Sequence, residues 1–317
     1  MRRRDFIKHT VCASSLVFIG FPNWRFTKGQ FKERRVYIFS KHLQWLHFSE
    51  MAKVAKNLGF DGVDLTVRPG GHVEPQEVEE QLPKAVEAIR AEGLIIDTIT
   101  TAITDANDKQ TIQIIKTAAN LGIKQLRLGW YHFEENLSLE LNLTRIGEKL
   151  SALDRLCGTY NIRADYQNHS GDDFGASVWD IREVYNSIKP KWLGIRYDVR
   201  HASLEGFNSW TTDLKAIHKY VKSLDIKDFV WETTKDGVHV ENVPLGHGDV
   251  DFDTYSKLLE NLQIQGNITL HLEYPLGGAE HGDRKLTLEP KSVLRAIEKD
   301  LKFIKRNISL KVGSLGK

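Results

Sequence analysis

Charged side chains stand at the ends of three apolar, strand-like segments of this chain. The segments end in Arg196-Tyr197-Asp198, in Asp225-Ile226-Lys227 and in His271-Leu272-Glu273. Successive side chains of a strand point to opposite faces, so these charged residues share the face opposite to their apolar neighbours. Burying a charge there is costly unless the charge is paired or binds a metal. The pattern therefore predicts a site for proton transfer or metal binding.

Two histidines follow the ends of strand-like segments. His169 comes after Tyr166-Gln167-Asn168, and His201 comes shortly after Asp198. An imidazole can take up or release a proton near neutral pH. Two structural alternatives stay open, in which Asp165 pairs with Arg196 and Asp228 caps a helix or a loop. The predicted catalytic residues are Glu273, Lys227, His169 and His201.

The segment Arg68-Pro69-Gly70-Gly71-His72 places a proline and two glycines between an arginine and a histidine. Proline and glycine fix an unusual backbone path, and we predict that this loop reaches over the mouth of the site to bind substrate. The alternative is that Arg68 pairs with Asp64 or with a neighbouring carboxylate of the barrel interior as a structural brace. The predicted substrate-binding residues are His42, Arg68, His72, Arg127, Arg200 and His247.

A repeated alternation of strand and helix patterns surrounds these residues. Such alternation predicts parallel strands joined by right-handed crossovers, and eight units predict a single-domain (β/α)8 TIM barrel. A doubly wound open sheet is the alternative, but its first turn is usually rich in glycine, and here that turn reads Ser40-Lys41-His42. The predicted strands are Val36–Ser40, Gly62–Val67, Leu94–Thr101, Gln125–Trp130, Ile162–His169, Trp192–Asp198, Val221–Asp228 and Ile268–Tyr274.

Helical periodicity and turn residues fill the intervals between these strands. Pro75 opens one predicted helix and Gly93 closes it. In a second helix Cys157 lies on the apolar face, which predicts a buried thiol rather than a nucleophile. After the seventh strand, the Asp236-Gly237 pair predicts a hairpin over the active end of the barrel.

The first residues predict export. Arg2-Arg3-Arg4 precedes a short apolar stretch, and Arg3-Arg4-Asp5-Phe6-Ile7-Lys8 resembles the twin-arginine motif. We predict a signal peptide over residues 1–30, a barrel over 31–317 and a periplasmic location.

No apolar run approaches the roughly 20 residues of a membrane span. The net charge of +2 indicates no nucleic-acid partner, and zinc-peptidase, serine-hydrolase and phosphate-loop motifs are missing from the sequence.

Several segments together resemble the sugar phosphate isomerase/epimerase family of the xylose isomerase-like barrel superfamily, in an exported bacterial branch. The resemblance spans nearly all of the chain after the signal. Its segments are Phe39-Ser40-Lys41-His42-Leu43-Gln44-Trp45, Gly59-Phe60-Asp61-Gly62-Val63-Asp64-Leu65, Val67-Arg68-Pro69-Gly70-Gly71-His72, Tyr166-Gln167-Asn168-His169, Tyr197-Asp198-Val199-Arg200-His201, Ile226-Lys227-Asp228-Phe229, Pro244-Leu245-Gly246-His247-Gly248 and His271-Leu272-Glu273-Tyr274-Pro275.

The resemblance implies one divalent metal bound by residues of the last four strands. By position, the metal ligands would be Gln167, Asp198, Asp225 and Glu273. Gln167 stands where the family has a carboxylate and Asp225 where it has an imidazole. An oxygen-rich set favours Mn²⁺ or Mg²⁺, and a nearby histidine would make Co²⁺ or Zn²⁺ possible.

The same resemblance implies a metal-dependent sugar isomerase or epimerase that works through an enediolate. Because the amide of Gln167 cannot accept a proton at neutral pH, one-base chemistry is the expectation. A lyase that eliminates a group from a 3-keto-glycoside is the first alternative. A non-catalytic sugar-binding barrel is the second. The expected ligand is a small carbohydrate in each case, and the oligomeric state stays open.

Overall fold

Eight parallel strands close into a barrel in the computed structural model, which describes residues 32–312. Each strand pairs with the preceding strand in the chain, and the eighth pairs with the first. The predicted (β/α)8 TIM barrel is therefore confirmed. The strands are β1 Val36–Phe39, β2 Gly62–Thr66, β3 Ile95–Thr100, β4 Gln125–Arg127, β5 Arg163–Gln167, β6 Leu193–Asp198, β7 Val221–Ile226 and β8 Ile268–Leu270.

Helices follow the strands and cover the outside of the barrel. Buried aliphatic residues on their inner faces pack against the strands, as an amphipathic helix requires. Cys157 lies buried on such a face, which confirms the predicted buried thiol, and burial raises the pKa of this thiol to about 12. The helices are α1 Phe48–Leu58, α2 Val78–Ala91, α3 Lys109–Asn120, α4 Leu139–Tyr160, α5 Val178–Ile188, α6 Val199–Gly206, α7 Trp210–Ile217, α8 Phe252–Asn261 and α9 Pro290–Asn307.

All eight strands are shorter than the sequence predicts, most by one to three residues in total, and two of them end at least three residues before their predicted ends. β4 ends at Arg127, three residues before the predicted end, and β8 ends at Leu270 rather than at Tyr274. Beyond β8, the backbone N–H of Leu272 donates to Nε2 of His42 at 3.0 Å instead of continuing the ladder. Glu273 therefore projects from the loop that follows β8, where a side chain is not constrained by strand pairing.

A hairpin leaves the barrel after β7. Its arms Asp228–Thr234 and Gly237–Val243 are antiparallel, as the sequence predicts. The carboxylate of Asp228 organises the hairpin base by accepting hydrogen bonds from four backbone N–H groups, so the prediction of a loop cap is confirmed. The donors are Phe229, Gly246, Gly248 and Val250.

The predicted signal peptide, residues 1–30, lies outside the described residues. A short antiparallel pair joins Lys32–Glu33 to Lys311–Val312 near the two ends of the described chain. Between residues 32 and 312, the helices lack the combination of length and apolarity that crossing a bilayer would require.

Candidate functional site

A cavity of about 270 Å³ opens at the carboxyl ends of the strands, which is the end where catalytic groups of such barrels meet. A larger cavity lies at the opposite end of the barrel, and another lies between α4 and α5. Neither of those two contains the predicted catalytic residues, so the strand-end cavity is the candidate site. Its walls are Phe39, Lys41, Arg68, Arg127, Trp130, Gln167, His169, Lys227, His271, Glu273, Glu280 and His281.

Beneath this cavity a buried arginine holds two carboxylates together. Arg196 Nε lies 2.6 and 2.7 Å from the two carboxylate oxygens of Asp225, and Nη2 lies 2.5 Å from Oδ2 of Asp64. Burial alone would lower the pKa of Arg196, but Asp225 and Asp64 raise it above its ordinary value. The alternative pairing with Asp165 does not form, because Asp165 contacts Arg163 instead.

The ammonium of Lys227 sits between two carboxylates and an imidazole. Its Nζ lies 2.7 Å from Nε2 of His201, 3.1 Å from Oε2 of Glu273 and 3.2 Å from Oδ2 of Asp198. Nδ1 of His201 contacts the hydroxyl of Ser170 at 2.8 Å, and an ammonium can only donate, so Nε2 accepts from Lys227. The ammonium thus donates hydrogen bonds to His201 and Glu273 and forms an ion pair with Asp198.

The carboxamide of Gln167 turns its nitrogen toward the acids. Nε2 donates to Asp225 at 2.6 Å and to Asp198 at 3.0 Å, while Oε1 accepts from Nη1 of Arg127 at 3.0 Å. The reverse orientation would place the amide oxygen against two carboxylates and the amide nitrogen against a guanidinium. The contacts therefore fix the orientation, and the oxygen faces away from the predicted metal ligands.

As these side chains stand, the four predicted ligands do not fit a divalent metal. Hydrogen-bond donors contact the carboxylate oxygens of Asp225, Asp198 and Glu273 that such an ion would need. Gln167 presents its nitrogen to two of them. Within residues 32–312, no cluster of three or more acidic, histidine or cysteine side chains is arranged to hold a metal ion.

Glu273 and His169 are two groups on the cavity wall that can accept a proton. Burial alone would raise the pKa of Glu273, but Lys227, His271 and Lys41 hold it well below its ordinary value, so the carboxylate is ionised at neutral pH. Burial and the charge of Lys227 lower the pKa of His169. Nδ1 of His169 lies 2.9 Å from the carbonyl oxygen of Ser170, which leaves Nε2 as the acceptor of a neutral ring.

Two arginines supply positive charge to the same wall. The Arg68 guanidinium lies 5.5 Å from the ring centre of Phe39, and the Arg127 guanidinium lies 4.4 Å from that of Trp130. Burial, together with the neighbouring arginines, lowers the pKa of Arg127 to about 9. Asp64 is engaged by Arg196, and no salt bridge holds Arg68 within the described part of the chain. The brace proposed as an alternative for Arg68 is therefore not formed.

Two predicted substrate-binding histidines lie outside the cavity. His42 is fully buried, with Nδ1 3.1 Å from the carbonyl oxygen of Ala279 and Nε2 accepting from Leu272. His72 faces a separate cavity of about 230 Å³, and its Nδ1 lies 3.1 Å from the hydroxyl of Ser40. The glycine turn folds the chain back over β2 and so directs His72 away from the mouth.

Other predicted residues support the cavity from below or lie apart from it. Asp198, Asp225 and His201 are buried beneath the wall. Arg200 donates to the hydroxyl of Ser170 at 3.2 Å and stacks on an aromatic ring outside the cavity. His247 is exposed in the loop after the hairpin.

The structure adds residues that the sequence interpretation missed. His271 stacks on Phe39 with ring centres 4.5 Å apart, and Nζ of Lys41 lies 3.5 Å from Oε1 of Glu273. The inward strand phase that His271 shares with Glu273 was a usable signal, as was the position of Lys41 directly after β1. Trp130, Glu280 and His281 come from loops, where strand period makes no prediction.

Comparisons with known proteins agree with this fold. The family described as "Xylose isomerase-like TIM barrel" matches residues 52–306, and no curated protein matches the chain. A 3-keto-D-glucoside 4-epimerase from E. coli is 14% identical, covers 86% of this chain and 100% of its own, and has a TM-score of 0.65.

Two further solved structures are similar. A D-allulose 3-epimerase from Methylomonas sp. is 15% identical over 88% of this chain and 99% of its own, with a TM-score of 0.63. A xylose isomerase-like TIM barrel protein from Mycobacterium smegmatis, in complex with magnesium, is 12% identical over 84% and 98%, with a TM-score of 0.60. At these identities the likeness shows a shared fold.

Proposed function

Because the chain belongs to the xylose isomerase-like TIM barrel family, we propose that it is a sugar isomerase or epimerase. The reaction would remove a proton from the carbon beside a carbonyl group and form an enediolate. Several solved structures with this fold are sugar epimerases by name. Their low identity to this chain leaves the choice of reaction to its own side chains.

The observation that carries the proposal is the pair Glu273 and His169 on one cavity wall. Glu273 comes from the loop after β8, and His169 follows β5. Groups on non-adjacent strands can face opposite sides of a planar enediolate. A carboxylate and a neutral imidazole are both able to accept a proton, whereas the amide of Gln167 is not. His169, two residues beyond Gln167, thus restores a second base on the β5 side.

In the proposed reaction, one of these bases takes the proton on the α-carbon, the C–H electron pair forms a C=C bond to the carbonyl carbon, and the carbonyl π pair moves to the oxygen. Arg68 and Arg127 border the cavity, and their fixed charges would stabilise the developing oxyanion. Proton return from the other base to the opposite face gives the epimer. Return to the adjacent carbon, with loss of the hydroxyl proton, gives the isomer.

Exchange with deuterated water tests the proposal. The protein is incubated in D₂O with a panel of ketoses and 3-keto-glycosides, and each product is read by NMR. We expect deuterium at one α-carbon, and loss of that exchange in Glu273→Gln. His169→Gln should suppress epimer formation more than exchange, because exchange needs only one base. Glu79→Gln changes an exposed glutamate of α2 and serves as the matched control.

Three other outcomes of the deuterium experiment would contradict the proposal or point to one of the alternative functions. No deuterium in any sugar contradicts the proposal. An enone with release of the aglycone would establish the lyase alternative, which starts from the same proton removal. Sugar binding without exchange or elimination would establish a non-catalytic barrel. No step of the proposed reaction uses the predicted Mn²⁺ or Mg²⁺, because the side chains do not fit such an ion.

A further inference from the structure

The position between Asp198 and Glu273 is taken by the ammonium of Lys227. Both carboxylates were predicted to bind a divalent cation, and both contact Nζ, at 3.2 and 3.1 Å. The third contact is Nε2 of His201 at 2.7 Å. Two carboxylate oxygens and an imidazole nitrogen around one centre are the donors that a transition metal prefers. Here these donors surround an ammonium that is covalently part of the chain.

Asp225 is withdrawn from metal binding in a different way. Nε of Arg196 contacts both of its oxygens, and Nε2 of Gln167 contacts Oδ2. His271 Nε2 lies 3.3 Å from Oδ1. A metal ion at Asp225 would have to displace a buried guanidinium whose other carboxylate partner is Asp64. Breaking a buried ion pair of this kind is strongly destabilising, because it leaves a charge uncompensated away from water.

The charges around the cavity already balance one another. The barrel interior and the cavity wall carry five carboxylates and five basic groups in mutual contact or on one wall. A divalent ion added to this set would create an uncompensated positive charge at low dielectric. The carboxylates are Asp64, Asp198, Asp225, Glu273 and Glu280, and the basic groups are Lys41, Arg68, Arg127, Arg196 and Lys227.

We infer that this barrel functions without a divalent metal, and that Lys227 supplies the positive charge at the centre of the site. Since His201, Glu273 and Asp198 hold its ammonium in place, Lys227 acts on substrate through its charge and by fixing the orientation of Glu273. Lys227 is thus a positioning residue. The action of Lys227 on substrate rests on the proposed function, whereas the absence of a bound divalent metal does not.

Binding of Mn²⁺ tests the inference without any turnover. The full chain is dialysed against a chelator, and bound Mn²⁺ is then measured by electron paramagnetic resonance and unfolding by calorimetry. For the wild type we expect no bound Mn²⁺ and no change in melting temperature with chelator or with millimolar MnCl₂. Lys227→Met removes the ammonium and frees three acceptors. We expect it to melt at a lower temperature, to bind Mn²⁺ and to regain stability when Mn²⁺ is added.

Lys116→Met is the matched control, because Lys116 is exposed on α3 and should behave as the wild type. One Mn²⁺ bound per wild-type chain, or a lower wild-type melting temperature in chelator, would overturn the inference. A Lys227→Met protein that binds no Mn²⁺ would also count against it. Should that variant fail to fold, the wild-type measurements still decide. A negative result in the deuterium experiment alters none of these readings, so the two proposals fail separately.

Discussion

Arg68 and Arg196 put the same side chain to two different uses. Arg196 is 1% exposed, and its guanidinium is enclosed by Asp64 and Asp225. Arg68 is partly exposed at the cavity wall, where it stacks on Phe39. A guanidinium enclosed by carboxylates affects the stability of the folded state. A guanidinium without an ion-pair partner at a cavity wall is available to bind a ligand. The two arginines should therefore separate stability from substrate binding.

Replacing Arg68 should weaken substrate binding and leave the fold intact. In Arg68→Met the apolar contact with Phe39 is largely kept, but the charged hydrogen-bond donor is lost. A hydrogen bond to a charged group contributes about 1.5–3 kcal/mol, so we expect KM to rise at least about tenfold. Steady-state kinetics and the melting temperature are measured together. A fall in melting temperature with unchanged kinetics would indicate a structural brace instead.

Replacing Arg196 should do the opposite. Arg196→Met leaves the buried carboxylates of Asp64 and Asp225 facing each other without a cation. Removing one partner of a buried ion pair typically costs about 3–5 kcal/mol, and urea unfolding should show a loss of that size. Arg155→Met, at an exposed position of α4, is the control. If Arg196→Met lost no more unfolding free energy than the control, water or a rearrangement of the barrel interior would be compensating the charges of Asp64 and Asp225.

At the scale of elements, side-chain period predicted the strands well and their ends less well. In β2, Val63 and Leu65 face the helices while Asp64 reaches the barrel interior, as alternation predicts. The early end of β8 could not be read from sequence, because it depends on His42 accepting the N–H of Leu272. That contact joins residues 230 positions apart. Local periodicity contains no information about it.

Helix α9 provides a prediction on pH and stability. Tyr274 donates to Oδ2 of Asp300 at 2.9 Å, and burial raises the pKa of this carboxyl to about 6. A raised pKa in the folded state means that stability from this group is present at low pH and is lost as pH rises through about 6. Asp300→Asn should therefore be more stable than the wild type by about 2 kcal/mol at pH 8 and nearly equal to it at pH 4.

Urea unfolding at both pH values checks this expectation for Asp300→Asn. Asp253→Asn, at an exposed position of α8, is the control for a general effect of removing a negative charge. A gain of equal size at pH 4 and pH 8 would show that Asp300 does not titrate in this range.

At the scale of the molecule, the barrel interior explains which part of the site was predictable. From strand ends and side-chain alternation, the sequence predicts that Gln167, Lys227 and Glu273 point toward one axis, and all three line the same cavity. The partners of these groups were not predictable, because parallel strands far apart in sequence set them. Arg196 reaches Asp64 across 132 positions, and this contact was not foreseen. Residue type at a strand end therefore indicates a site, while its contacts decide whether the site holds a metal or an ammonium.

The hairpin has a practical consequence for handling this protein. Its base is fixed to the barrel by Asp228, whereas residues 232–239 are exposed around the turn at Gly237. Exposed loop tips of this kind are where foreign segments are best tolerated. Residues 232–239 do not line the cavity, so an affinity tag or a fluorescent reporter inserted between Asp236 and Gly237 would leave the cavity wall unchanged. Such a fusion would leave both chain termini in their natural form, including the start of the chain on which export is predicted to depend.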